Sequence, residues 1–182
     1  TQEDLDKAKK KGEKVKASMK GIMSWMKKLN ELNQTSNANT ASYEAAAEEI
    51  LDVDAVLKYF AANTYLASLD SYQSDEAHNF CIGYHDGKVF AVPWDYNYSF
   101  GAFDIMNASD YINFSIDNPV VKVNMSERPL LNVLLKNDNF RKRYENYLLD
   151  CCKIACAGGT VTGTDLAGKS YTNTYEPYYF KK

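Results

Sequence analysis

Apolar residues recur at intervals of three and four from Leu5 through Ala8, Val15, Met19, Ile22 and Met26 to Leu29, with Gly12 a weak member of the stripe. That spacing is the helical period, so residues 3–30 are predicted to form a helix. Seven lysines between Lys7 and Lys20 fall mostly on the other face, which reads as solvated while the stripe packs. A coiled coil would need three to four clean heptads, and Gly12 interrupts them. Residues 30–41 are polar and rich in turn formers, hence a loop. A short helix over 43–50 and a stronger one over 53–69 follow, the second with Asp52 as N-cap. Val56, Leu57, Phe60, Tyr65 and Leu66 form its apolar face.

The period then changes. Residues 80–84 and 89–93 read as strands around His85-Asp86-Gly87-Lys88, whose Asp-Gly is a hairpin signal because glycine tolerates positive φ. Residues 96–123 have no helical period and read as a long ordered loop with short strands. A helix is expected to start near Ser126-Glu127-Arg128-Pro129, where proline suits a first turn, and to run to about Leu135. Another runs from Asp138 to Ala157 and stops at Gly158-Gly159. The expected fold class is α+β, mainly helical. The expected division is an N-terminal lysine-rich helix and polar loop (1–42), a core (43–157) and a flexible Gly/Thr/Tyr-rich tail (158–182).

Composition narrows the possibilities. A chain of 182 residues suits one domain with a helical appendage, and its start at a threonine suggests a piece of something longer. Apolar residues at 45 % and aromatics at 13 % fit a folded globular protein rather than a disordered one. A net charge of -3 leaves no footprint for nucleic acid or an anionic membrane. No apolar run approaches the roughly 18–20 residues that span a bilayer. Cys81, Cys151, Cys152 and Cys156 are expected as buried free thiols, and His78 and His85 lack the spacing that would make zinc ligands with them.

Two stretches suggest chemistry. Gly163-Thr164-Asp165-Leu166-Ala167-Gly168-Lys169-Ser170 matches the P-loop pattern letter for letter. A working P-loop joins a buried strand to a helix N-terminus, and neither is expected here. The stronger candidate runs from Asn63 to Gly101. It sets Asp70 after a helix, Asn79 at a strand start and Asp95 at a strand end, where rigid elements can aim polar side chains into one cleft. Phosphoryl transfer needs an aspartate to receive the hydroxyl proton and further oxygen donors to hold Mg²⁺ against the phosphates. Isolated Asp and Asn residues also cap helices and build turns, so spacing leaves both readings open.

Leu51-Asp52-Val53-Asp54, Asn63, Leu69-Asp70-Ser71-Tyr72, His78-Asn79-Phe80, Val92-Pro93-Trp94-Asp95-Tyr96 and Phe100-Gly101 together resemble the CotH family of spore-coat kinase-like proteins. Arg128-Pro129-Leu130-Leu131 and Phe140-Arg141-Lys142-Arg143-Tyr144 resemble its closing helices, so the likeness covers about residues 43–150. The resemblance implies a protein kinase-like C-lobe with a central β-hairpin. It implies Asp70 as catalytic acid/base, Asp95 as main metal ligand and Asn79 as second ligand, with Mg²⁺ and ATP as cofactors. Asn97 stands where family members often carry a second acid and offers an oxygen with one less charge. Arg128 can meet a phosphate, pair with a site carboxylate or sit as a helix-terminus charge. Trp94 and Tyr84 are expected to pack, and His78 to hydrogen-bond.

No segment before Asp52 reads as the small β-rich lobe with a lysine that grips ATP. The kinase N-lobe is therefore expected to be absent from this chain and to lie elsewhere in the same parent. The expected activity is transfer of phosphate from ATP to Ser or Thr of a secreted or coat protein, with this chain alone inactive. The alternative is a non-catalytic extracellular binding or scaffold module that uses residues 96–126 as a surface. A secreted, cell-surface or spore-surface location follows from the resemblance. N-x-S/T sites at Asn33, Asn97, Asn107, Asn113 and Asn124 are compatible with export, though asparagine abundance explains them equally.

Overall fold

The structure is a computed structural model that describes residues 2–157, 159–164 and 169–175. It is mixed helix and small sheets, mainly helical, as expected. α1 (Gln2–Gln34), α2 (Ala41–Ile50) and α3 (Val53–Tyr65) precede a hairpin of β1 (Cys81–His85) and β2 (Lys88–Val92). A short α4 (Ala108–Ile112), α5 (Pro129–Leu135) and α6 (Asp138–Ala157) follow, then a second hairpin of β3 (Gly159–Thr164) and β4 (Ser170–Tyr175).

The core is built on α3. Val56, Leu57, Phe60 and Ala61 are fully buried there, facing Leu131, Val133 and Leu134 of α5 and Phe140 and Tyr144 of α6. Fully burying each large apolar side chain is worth about 1.5–3 kcal/mol, which makes this three-helix contact the main source of stability. Asp52 caps α3 as expected, its Oδ1 accepting from the Ala55 amide at 3.1 Å. Asn137 does the same for α6, accepting from Phe140 N at 2.9 Å while its amide donates to Ala38 O at 2.8 Å.

The first hairpin is where the Asp-Gly signal placed it. Asp86 and Gly87 have φ of 48° and 84°, the signs a type I′ turn demands. The register sets Gly83 opposite Phe90, and a Cβ on Gly83 would meet that ring at 2.1 Å. Only β2 reaches the core, through Val89 and Ala91, and Asp52 N donates to Val89 O at 2.8 Å. β1 lies outside it, which corrects the expected packing: Tyr84 is exposed, and so is Trp94 beyond the end of β2.

Several other expectations are corrected. α1 runs unbroken through Gly12 and Gly21 to Gln34, so the loop begins at Thr35. Only its last turns pack: Trp25 and Leu29 are buried, whereas Leu5, Met19, Ile22 and Met26 are exposed. α3 stops at Tyr65, short of the expected Leu69, because Ala67 turns left-handed at φ 46°. Residues 96–123 hold a 3₁₀ turn, α4 and a single bridge at Val121 instead of strands. The thiols are free but not buried: Cys81 lies on outer strand β1, and Cys152 and Cys156 lie beyond Leu148, the last buried residue of α6. Cys151 is half-buried.

The expected flexible tail contains a hairpin. Ser170 begins β4 and pairs with Thr164, so the P-loop-like stretch joins two antiparallel strands rather than a strand and a helix. Its residues 165–168 lie outside the described residues. Without a helix N-terminus at Ser170 there is no dipole to hold a phosphate.

Candidate active site

Asp70 owes its position to the way α3 ends. Ala67 N donates to Thr64 O at 3.1 Å and Ser68 N to Asn63 O at 2.9 Å, the two bonds of a Schellman motif. The chain then turns back over the helix end, and Leu69 is fully buried against Ile105 and Val121. Ser71 Oγ donates to Ser68 O at 2.6 Å. Gln73, fully buried, donates to Thr64 Oγ1 at 3.0 Å and to Pro119 O at 2.7 Å. Tyr72 stacks edge-on against Phe80 at 4.9 Å and accepts from Leu130 N at 3.1 Å. Asp70 is thus flanked on both sides by anchored residues.

Its carboxylate is nearly withdrawn from solvent, 9 % of the residue remaining exposed. Asn79 Nδ2 donates to Asp70 Oδ2 at 2.7 Å. Asn79 sits at φ 44°, a left-handed conformation that asparagine tolerates better than most residues. The other oxygen, Oδ1, lies 4.0 Å from His78 Nδ1, and that imidazole is also 3.9 Å from Glu76. His78 is exposed and makes no closer polar contact with either carboxylate.

Asp95 leaves β2 at φ 53°, exposed, with no side-chain hydrogen bond to the 3₁₀ turn Tyr96–Tyr98 that it precedes. Backbone conformations of this kind cost about 1–3 kcal/mol and cluster at functional sites. The turn is fastened to α3 from both ends. The Tyr96 hydroxyl donates to the buried Asn63 Oδ1, and Phe100 N donates to Leu66 O at 2.6 Å. Burial pushes the Tyr96 phenol well above its ordinary pKa, so it remains a donor at neutral pH. Asn97 is exposed on the same turn.

The predicted set is therefore brought together in part. Asp70 and Asn79 are in direct contact, while Asp95 and Asn97 lie on an exposed turn and make no bond to either. Among the described residues there is no cluster of three His, Cys, Asp or Glu side chains able to hold a metal. The donors present are carboxylate and amide oxygens, the hard ligands Mg²⁺ takes, and one or two carboxylates completed by water and phosphate suffice for that ion. Arg128 points at the Asp70 segment: its Nε donates to Ser74 O at 3.2 Å, Nη2 donates to the same oxygen, and Nη1 reaches Glu127 O at 2.9 Å. Its guanidinium also lies 5.7 Å from the centre of the Tyr72 ring.

Sequence reasoning gave Asn63 and Tyr96 no role beyond the resemblance, yet their bond ties the Asp95 turn to α3. The available signal was a buried-face asparagine four residues after Tyr59. Trp94, Tyr98 and Phe100, close to Asp95 in the sequence, are exposed aromatic side chains.

A family model described as CotH kinase protein matches residues 1–155. No curated protein and no solved structure matches the chain.

Proposed function

The chain belongs to the CotH kinase family, and from that premise we propose that it carries the base- and metal-bearing half of a kinase site. The reaction is transfer of the γ-phosphoryl group of ATP to a serine or threonine hydroxyl of a protein. The observation that carries this reading is Asp70, a nearly buried carboxylate held through one oxygen by Asn79 with the other turned toward exposed His78. A carboxylate so oriented is suited to take the hydroxyl proton as the substrate oxygen bonds to phosphorus and the bond to the ADP oxygen breaks.

Asp95, the Asn79 carbonyl oxygen and Asn97 are the groups suited to hold Mg²⁺, which when bound offsets the charge of the phosphates. The Asn79 amide is occupied by Asp70, which leaves its carbonyl oxygen for the ion. Arg128 enters through the segment it supports, and a phosphate contact requires it to exchange its bonds to Ser74 O. Neither two-stranded sheet among the described residues carries a buried lysine, Lys88 and Lys169 both being exposed. The 182-residue chain alone is therefore expected to bind ATP and Mg²⁺ weakly.

The full-length protein, incubated with labelled ATP, Mg²⁺ and candidate protein substrates, tests the reading. Asp70→Asn and Asp95→Asn are expected to cut labelling by about 10²-fold or more. Asn79→Gly keeps the left-handed backbone while removing the amide, and is expected to cost about tenfold. Equal labelling by all four proteins would sink the proposal. A second reading, a non-catalytic binding module, is favoured by exposed Trp94, Tyr98 and Phe100. It predicts no labelling by the wild type and protein binding lost in Trp94→Ala.

A further inference from the structure

The long first helix presents a surface that its own fold leaves uncovered. At about 1.5 Å per residue, α1 is about 50 Å long, and its contacts with the core come from Trp25, Leu29 and Leu32 near its end. The apolar positions ahead of these keep a strict three–four alternation in sequence through Leu5, Ala8, Gly12, Val15, Met19, Ile22 and Met26. This is a 3.5-residue repeat, the period of a two-helix seam. The helix does not break at Gly12, and beyond the helix's own adjoining backbone no atom of the described structure lies within 4 Å of a Cβ built there. Leu5 is 66 % exposed, Met19 58 %, Ile22 48 % and Met26 57 %. The rest of the fold uses the seam at its final positions only.

We propose that this seam is a docking surface for an amphipathic helix with acidic flanks, which pairs with α1 as a two-stranded coiled coil. Charge selects the occupant. In this register Lys9 and Lys11 border the seam, both exposed, and the segment from Lys7 to Lys14 holds five lysines and one glutamate. Seam-bordering positions set partner choice through opposite charge, so these call for Asp or Glu across the interface. A second copy of the chain does not supply them. Laid antiparallel, it sets Lys9 and Lys11 opposite Met23 and Trp25, and Trp25 is already buried with its Nε1 donating to Ile50 O at 3.0 Å. A membrane surface fits less well, because the exposed seam is narrow and has no aromatic member, whereas interfacial helices present a broad face with Trp or Phe. The proposal is independent of the phosphoryl-transfer reading.

The 182-residue chain is titrated with a labelled synthetic peptide of four heptads carrying leucine in the seam and glutamate beside it. A matched peptide has lysine in place of glutamate. The glutamate peptide is expected to bind and the lysine peptide not. Ile22→Gln/Met26→Gln is expected to weaken binding at least about tenfold, and Lys9→Glu/Lys11→Glu to reverse the preference between peptides. These positions are exposed, so an unchanged thermal melt shows that each variant is folded. The proposal is overturned by binding of neither peptide, or by undiminished binding to the Ile22→Gln/Met26→Gln variant. Concentration-dependent dimerisation of the chain, or sedimentation with phosphatidylserine vesicles, in place of peptide binding also overturns it.

Discussion

Left-handed residues without glycine surround the candidate site: Ala67, Ala77, Asn79, Asp95 and Phe100 all have φ between 44° and 58°. Ala67 is the most telling, because it holds the C′ position of a Schellman motif, where glycine is the usual occupant. Leu66, Ala67 and Leu69 extend the apolar pattern of α3, and with no glycine to mark the stop, the sequence reads helical to Leu69. Only the surrounding packing imposes the turn. Alanine in this conformation costs about 1–2 kcal/mol. Glycine's greater freedom in the unfolded chain costs about 0.5–1 kcal/mol in return. The strain is the larger quantity, so Ala67→Gly is expected to stabilise the protein by somewhat under about 1 kcal/mol, roughly 2 °C in Tm for a chain of this size. A fall in Tm on thermal unfolding would show that Ala67 is not under strain.

Elements were legible where the signal was local. Asp86-Gly87 announced the hairpin, Asp52 the cap of α3, and Pro129 the neighbourhood in which α5 starts. For α1 the period revealed the helix but not what covers its stripe, because periodicity marks a face and says nothing of its neighbour. Beside the buried Trp25 and Leu29, one of the groups that fix α1 to the body, Lys136, lies a hundred residues away. Its ammonium donates to Leu32 O at 2.6 Å, Thr35 O at 2.9 Å and Asn33 O at 3.0 Å, meeting the last carbonyls of the helix. A cation there gives the helix-end carbonyls a charged donor and offsets the negative end of the helix dipole. Lys136→Met retains the stem and removes the donors, and is expected to cost about 1–3 kcal/mol in urea unfolding. In a Trp94→Phe background, Trp25 emission reports the docking of α1 directly. No change in midpoint would mean that the three carbonyls are as well served by water.

At the scale of the molecule, the sequence offered candidate site residues but not their arrangement. Asp70 and Asn79 meet across nine residues of irregular backbone, a contact that no period encodes, and Asp95 stands apart from both. The four residues 51–54 of the resemblance resolve into different tasks: Leu51 is core, Asp52 caps α3, and Asp54 joins α3 to α6. Asp54 Oδ1 accepts from Tyr147 Oη at 2.5 Å and from Arg143 Nη2 at 2.6 Å. The Tyr147 hydrogen bond first, and Arg143 second, hold the carboxyl below its ordinary pKa. A carboxyl with a depressed folded-state pKa contributes its full stability above its unfolded value, about 3.9, and loses it as pH falls through the folded value. The Asp54 side chain is 50 % exposed, so solvent screening limits that contribution to about 1 kcal/mol or less. Asp54→Asn is accordingly expected to be less stable than the wild type at pH 7, with the difference shrinking as pH falls below about 4. Urea midpoints of the two proteins measured between neutral pH and pH 3 test this. A gap that stays constant across the range would place the effect of the substitution in packing, and leave the charge of Asp54 without a share in binding α3 to α6.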